Sequence, residues 1–122
     1  MKRALIIDDE PDITEIVTMF AAELGYLSDV ANCGSDAILK LAVNPYWAVF
    51  CDFRMPLYDG IDIYQKVMEL NPALSKRFVL ITGAVLDKKT TDFVRERSIL
   101  ILRKPFNFVA LKEIFIMLEE IN

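Results

Sequence analysis

The sequence predicts an α/β fold in which a parallel sheet lies between two layers of helices. Short apolar runs alternate five times with segments of helical period, which is the pattern of strand and helix in such a sheet. The 122 residues suffice for one domain with one substantial core. We therefore interpret residues 1–122 as a single domain and expect one site, with no cleft between domains.

Each predicted strand is a run of four or five mostly apolar residues, and each predicted helix carries apolar residues three and four positions apart. The fourth helix has the weakest apolar face, because DKKTTDFVRER offers only Phe93 and Val94 to a core. We predict strands at 4–7, 27–31, 47–51, 78–82 and 99–103, and helices at 11–24, 34–43, 61–70, 87–97 and 108–121.

Turn-forming residues separate these units. Gly25 follows the first helix, an Asn-Pro pair follows the second and the third, and Asn107 is a suitable N-cap for the last. Since crossovers between parallel strands are right-handed, we expect a three-layer, doubly wound sandwich of the flavodoxin-like kind, with sheet order 2-1-3-4-5.

The composition excludes several classes of protein. A hydrophobic content of 54% with a net charge of -4 is typical of an ordered domain and offers no electrostatic footprint for nucleic acid. The apolar runs are too short to span a membrane, and acidic residues precede any signal-peptide core, so we expect a cytoplasmic protein. Cys33 and Cys51 are expected to be reduced, with Cys51 in the core.

The chain contains no histidine. This excludes a histidine general base, a Ser-His-Asp or Cys-His pair, a histidine zinc ligand and a phosphohistidine formed on this chain. Any chemistry must use carboxylates, hydroxyls, lysine or a hard metal ion.

Polar residues stand at the ends of four predicted strands. Asp8 and Asp9 follow the first strand, Asp52 follows the third, Thr82 ends the fourth, and Lys104 follows the fifth. Each has an ordinary structural explanation when taken alone, such as helix capping or surface charge. Because the carboxyl ends of parallel strands meet at one edge, their joint placement predicts a single site.

Clustered carboxylates repel one another unless a cation compensates them. Oxygen ligands from Asp9, Asp52 and a loop carbonyl suit Mg²⁺, which usually takes one or two carboxylates together with waters or phosphate. Lys104 and the Thr82 hydroxyl are suited to phosphate oxygens. The set favours phosphoryl transfer, with the Asp52 carboxylate as nucleophile.

Four segments, IIDDE, CDFRMPLYDG, ITG and LRKPF, resemble the signature segments of response-regulator receiver domains of the CheY-like superfamily, in family order and spacing. The resemblance covers nearly the whole chain. It implies that Asp52 is the phosphoacceptor and that Asp9, Asp52 and the backbone carbonyl of Arg54 bind Mg²⁺, with Asp8 acting mainly through water.

The same resemblance implies that Thr82 is the switch hydroxyl, that Lys104 contacts the phosphoryl group and that the Lys104–Pro105 peptide is cis. It also implies partners: a sensor histidine kinase or phosphotransfer protein as donor, and an unidentified downstream effector or a second copy as recipient of the signal. The chain would be a phosphoacceptor with slow self-dephosphorylation at most, and not an enzyme. No output domain follows Asn122, so we expect signalling by contact unless the chain is part of a longer protein.

Ile101 departs from the family pattern, which often places a switch aromatic three residues before the lysine. An isoleucine has no hydroxyl to follow the threonine, so the usual coupling to the face formed by helix 4, strand 5 and helix 5 is in question. By resemblance, Arg54 and Ala84 tune phosphoryl hydrolysis. Extra apolar residues predict a patch for a partner or a second copy, formed by Ile101, Phe108, Phe115, Ile116 and Met117.

Three alternatives stay open. A degenerate receiver would keep the fold and act as an interaction module without phosphorylation. A haloacid-dehalogenase-like phosphatase uses similar residues but needs a second aspartate where Arg54 stands, and this chain leaves no room for a substrate cap. A flavin carrier would need a hydroxyl- and glycine-rich loop after the first strand, which is absent here.

Overall fold

A computed structural model describes residues 1–121 and contains the five predicted strand and helix units. Every boundary of these units lies within two residues of the prediction. A short 3₁₀ helix, Leu74–Arg77, was not predicted. The strands are β1 Arg3–Ile7, β2 Leu27–Ala31, β3 Ala48–Asp52, β4 Phe78–Thr82 and β5 Leu100–Arg103, and the helices are α1 Pro11–Glu23, α2 Gly34–Val43, α3 Gly60–Leu70, α4 Lys88–Glu96 and α5 Phe108–Glu119.

All strand pairs are parallel, and the sheet order is β2-β1-β3-β4-β5, as predicted. In the register, Asp52 of β3 pairs with Ile81 of β4, and Thr82 pairs with Arg103 of β5. The carboxyl ends of the central strands therefore meet at one edge of the sheet, which we call the carboxyl pole. The opposite edge is the amino pole.

Alternate strand residues enter two separate core layers, because successive side chains of a strand point to opposite faces. Leu5 and Ile7 pack with α2, α3 and α4, whereas Ala4 and Ile6 pack with α1 and α5. Both cysteines are free. Cys51 is buried in the core layer that contacts α2, α3 and α4, and Cys33 is exposed. Among residues 1–121, no helix combines the length and apolar character needed to cross a membrane.

Helices α4 and α5, which lie on opposite sides of the sheet, are held very differently. In α5, four side chains are buried: Leu111, Ile114, Phe115 and Leu118. In α4, Val94 alone is buried, as its weak apolar face predicted. Asp87 and Asn107 cap α4 and α5 by accepting a hydrogen bond from the third backbone N–H of each helix, so the two helices differ in packing rather than in capping.

The predicted apolar patch is wrong for Phe115, which is only 2% exposed. Its ring stacks on Tyr26 with centroids 4.2 Å apart and contacts Phe50 at 5.1 Å, so it belongs to the core. Ile116 and Met117 are 49% and 41% exposed and remain at the surface. Phe108 and Ile101 are half-buried and pack against Phe20 and the core layer beside α4, respectively.

Aromatic and basic side chains cover the amino pole. Trp47 stacks on Tyr26 with ring centroids 5.3 Å apart, and Phe115 extends the stack. Lys2 and Arg77 lie over the Trp47 ring at 4.8 and 5.6 Å from its centroid, within the range of cation–π attraction. We call these five residues the aromatic cluster.

Candidate functional site

Four acidic residues converge at the carboxyl pole. Asp8, Asp9 and Glu10 follow β1, and Asp52 ends β3 beside it, so the parallel register brings them to one place. Each offers a carboxylate oxygen, and these oxygens lie within 4.8 Å of one another. Asp8 and Asp52 are buried at 0% and 5% exposure, whereas Asp9 and Glu10 are exposed. We call these four residues the acidic cluster.

Lys104 is the counter-ion of the acidic cluster. Its ammonium nitrogen lies 3.2 Å from Asp8 Oδ2, 3.2 Å from Glu10 Oε1 and 3.4 Å from Asp52 Oδ1. A backbone hydrogen bond of 2.9 Å from its N–H to the Thr82 carbonyl holds the residue against β4. The following Lys104–Pro105 peptide is cis, as the family resemblance implied.

One positive charge does not satisfy four carboxylates. Asp8 Oδ1 accepts a hydrogen bond of 2.9 Å from the Glu10 N–H, but Asp8 Oδ2 has no hydrogen-bond partner within residues 1–121. The Lys104 nitrogen is close to this oxygen but approaches it in a direction unsuited to a hydrogen bond. A buried carboxylate oxygen left in this state, among other carboxylates, fits a site for a hard cation and its waters.

The cluster shifts the pKa values of its members. Burial and, after it, the charge of Asp8 raise the pKa of Asp52 to about 6, while Lys104 acts in the opposite direction. Burial also raises the pKa of Asp8 above its usual value. Burial disfavours the charged form of Lys104, but the carboxylates of Asp52 and Asp8 outweigh that effect, so its pKa is raised. The lysine therefore stays charged, while Asp52 titrates close to neutrality.

Thr82 lines the same cleft as Asp52 and Lys104. This cleft has a volume of about 260 Å³. The side chain is 2% exposed, and its hydroxyl oxygen accepts a hydrogen bond of 3.0 Å from the Ala84 N–H. The hydroxyl also faces the Ala84 carbonyl at 3.5 Å. Thr82 thus has a hydroxyl that is bonded to its own loop and shares the cleft with Asp52.

The loop between β3 and α3 carries Arg54, whose exposed side chain lines the same cleft. Hydrogen bonds from Phe53 N–H to the Ile81 carbonyl and from Gly60 N–H to the Phe53 carbonyl, 2.8 and 2.9 Å long, close this loop. A Cβ on Gly60 would lie 3.0 Å from the Asp52 backbone oxygen, so the chain passes very close to the end of β3 here. Asp59 caps α3 in a reciprocal capping box and terminates the loop.

Comparison with known proteins identifies the family of this chain. Residues 4–116 match the response regulator receiver domain family. The chain belongs to this family. Its members are phosphoacceptors in two-component signalling and not classical enzymes.

This receiver is similar to the response regulator receiver protein CpdR of Brucella abortus, with 28% identity over 88% of each chain. It is 34% identical to the transcriptional regulatory protein TrcR of Mycobacterium tuberculosis over 72% of its own length, but spans only 34% of that longer protein. Among solved structures it resembles the response regulator TrrA of Thermotoga maritima in complex with Mg²⁺-BeF, with a TM-score of 0.83, 30% identity, and coverage of 97% and 99% of the two chains.

The structure brings together all the receiver residues predicted from the sequence: Asp8, Asp9, Asp52, Arg54, Thr82 and Lys104. It adds Glu10, which the sequence reasoning missed although it is the third acid of the IIDDE run. As the first residue before α1, Glu10 makes no side-chain cap and is free to reach Lys104. Three successive acids before Pro11 were the available signal.

Proposed function

We propose that this receiver accepts a phosphoryl group on Asp52 from a phosphohistidine of a sensor histidine kinase or phosphotransfer protein. The observation that carries the proposal is the position of the Lys104 ammonium, which lies within 3.4 Å of both Asp52 and Asp8 at the end of buried strands. Phosphoryl transfer depends mainly on positioning and on neutralising charge around the phosphorus, and this arrangement supplies both.

In the proposed step a carboxylate oxygen of Asp52 forms a bond to phosphorus while the bond from phosphorus to the donor imidazole nitrogen breaks. The electron pair stays on the imidazole, and the product on this chain is an aspartyl phosphate. At neutral pH Asp52 is mostly ionised, because its pKa is raised only to about 6. Lys104 neutralises charge on the incoming phosphoryl oxygens, and the Thr82 hydroxyl donates a hydrogen bond to one of them.

Mg²⁺ fits the acidic cluster, and we propose that Asp9, Asp52 and the backbone carbonyl of Arg54 hold it, with Asp8 contributing through water. The Oδ2 of buried Asp8, which accepts no hydrogen bond within residues 1–121, supports this assignment. When bound, the ion neutralises carboxylate and phosphoryl charge together. The relative TrrA was solved in complex with Mg²⁺-BeF, which is consistent with the same ion here.

Phosphorylation would shift an equilibrium between two conformations of the loops after β3 and β4 and of α4, the helix with the fewest buried side chains. We propose that the face formed by α4, β5 and α5 transmits this change to a downstream effector or a second copy. Val109, Ile116 and Met117 of α5 are exposed apolar residues available for such contacts. Self-dephosphorylation is proposed to be slow at most, and the protein to act in the cytoplasm.

The test is phosphorylation by a small acyl phosphate, with and without Mg²⁺, followed by intact-mass measurement. We expect the mass of one phosphoryl group to be added in the presence of Mg²⁺ and to be lost in Asp52→Asn. Asp12→Asn is the matched control, because Asp12 is an exposed acid on α1 outside the acidic cluster.

Two other outcomes identify the alternatives. A folded protein that gains no phosphoryl mass under any of these conditions is a degenerate receiver that acts by binding alone. Sustained hydrolysis of varied phosphomonoesters, with no stable adduct, identifies a phosphatase.

A further inference from the structure

The loop between β4 and α4, residues 83–87, is attached to the sheet through the backbone N–H and the backbone carbonyl of one residue, Ala84. The Ala84 N–H donates to Thr82 Oγ1 at 3.0 Å, and the Ala84 carbonyl accepts a hydrogen bond of 3.2 Å from Arg103 Nη1. Val85, the next residue, is 91% exposed. Ala84 is therefore the point at which this loop is connected to the cleft on one side and to β5 on the other.

Arg103 is well placed for this contact. It is the last residue of β5 and the register partner of Thr82, directly before Lys104. Its side chain is exposed, and the bond to Ala84 is its one hydrogen bond in the described part of the chain, with no ion pair to an acid. An exposed arginine loses rotamer freedom when it is held in this way, so the contact has to offset that cost.

We infer that Arg103 is a positioning residue that holds the β4–α4 loop in its unphosphorylated position and couples Thr82 to the edge strand β5. The consequence for signalling rests on the proposed phosphorylation of Asp52. If the Thr82 hydroxyl donates to a phosphoryl oxygen, it no longer faces the Ala84 carbonyl, and the Ala84 peptide is held less firmly. Arg103 then follows or releases that peptide, which changes the surface beside α4.

Arg103 would supply a polar connection between β5 and the loop. Ile101 stands where the family pattern often has an aromatic residue for that connection. Ile101 is half-buried against the core layer beside α4 and has no hydrogen-bonding group. The guanidinium of Arg103, two residues later on the same strand, reaches the loop directly. Because α4 has one buried side chain, a change at Ala84 meets little resistance from packing.

The test measures amide hydrogen exchange in the full chain, at single-residue resolution by NMR, for the wild type, Arg103→Gln and Arg103→Lys. The Ala84 N–H is the one amide of residues 83–87 that donates a hydrogen bond to a group within residues 1–121, so its exchange reports the position of the loop. In Arg103→Gln we expect the Ala84 amide to exchange about threefold to tenfold faster, the factor that the loss of one ordinary hydrogen bond gives. Arg103→Lys keeps the charge but not the guanidinium geometry, and we expect it to resemble Arg103→Gln. Lys112→Gln removes an equal charge from an exposed site on α5 and should leave the exchange of the Ala84 amide unchanged.

The inference is overturned if Arg103→Gln leaves the exchange of the Ala84 amide unchanged, or if Arg103→Lys behaves as the wild type, since charge alone would then suffice. A second readout uses an acyl phosphate with Mg²⁺. Phosphorylation should accelerate exchange of the Ala84 amide in the wild type and add little in Arg103→Gln, whose loop is already released. A wild type that gains no phosphoryl mass contradicts the proposed function, yet the unphosphorylated exchange rates still decide the role of Arg103.

Discussion

The two poles of the sheet use charged residues in opposite ways. At the amino pole the charges beside the aromatic cluster have partners: Glu119 pairs with Lys2 and accepts from the Tyr26 hydroxyl, while Arg77 donates to the Trp47 carbonyl. At the carboxyl pole Lys104 pairs with three of the four carboxylates of the acidic cluster, and one buried oxygen has no hydrogen bond within residues 1–121. The comparison indicates that one pole contributes stability and the other keeps an electrostatic cost that a ligand can relieve.

The largest expected effect is at the amino pole. Phe115→Ala removes a buried ring from the aromatic cluster, and we expect the free energy of unfolding to fall by about 3–5 kcal/mol. Urea denaturation measures it. Ile116→Ala is the control, because its exposed side chain should contribute much less. Equal losses in the two variants would contradict the assignment of Phe115 to the core.

The next effect has the opposite sign and lies at the carboxyl pole. Asp52→Asn removes a buried charge whose pKa is raised from 3.8 to about 6, so we expect the metal-free variant to be more stable than the wild type at pH 7 by about 1–3 kcal/mol. Destabilisation of the metal-free protein would show that the ion pair with Lys104 outweighs the repulsion.

The pH dependence of that difference follows from the raised pKa. In the window between about 4 and 6 the folded protein binds more protons at Asp52 than the unfolded chain, so wild-type stability falls as the pH rises through it. Asp52→Asn should lack this part of the slope. Urea midpoints at several pH values measure it, and parallel curves for the two proteins would contradict it.

Binding of Mg²⁺ should relieve part of the electrostatic cost at the carboxyl pole. At a concentration ten times its Kd, Mg²⁺ that binds only the folded state stabilises the protein by about 1.4 kcal/mol. We expect this increment in the wild type and a much smaller one in Asp9→Asn. Thermal denaturation with MgCl₂ against NaCl of equal ionic strength measures it. The same increment in both proteins would show that the ion binds outside the acidic cluster.

The smallest effect concerns backbone strain in the loop between β3 and α3. Leu57 adopts φ 69° and is 91% exposed, a conformation and exposure that a leucine does not favour. Leu57→Gly should therefore stabilise the protein by less than about 1 kcal/mol, because relief of strain is offset by the greater chain entropy of glycine. A clear loss of stability in urea would show that the Leu57 side chain makes a stabilising contact.

Much of the fold can be predicted from the sequence, because its strands are short continuous apolar runs whereas its helices carry apolar residues three and four positions apart. The strand ends placed Asp52, Thr82 and Lys104 at one edge before any distance was known. The sequence did not reveal how wide a face of α5 is buried, so Phe115 was misassigned. Nor did it reveal the reach of Glu10 or of the Arg103 side chain, because long flexible side chains are placed by tertiary contacts and not by a repeat.

Gly60 adds a constraint of another kind. A methyl group there would lie 2.4 Å from Leu80 Cδ1 and 3.0 Å from the backbone oxygen of Asp52, so even alanine would push on the residue that we propose as nucleophile. In variants at position 60, we expect stability and phosphorylation to fall together. Selection for a more stable variant with unchanged chemistry should therefore retain glycine at position 60.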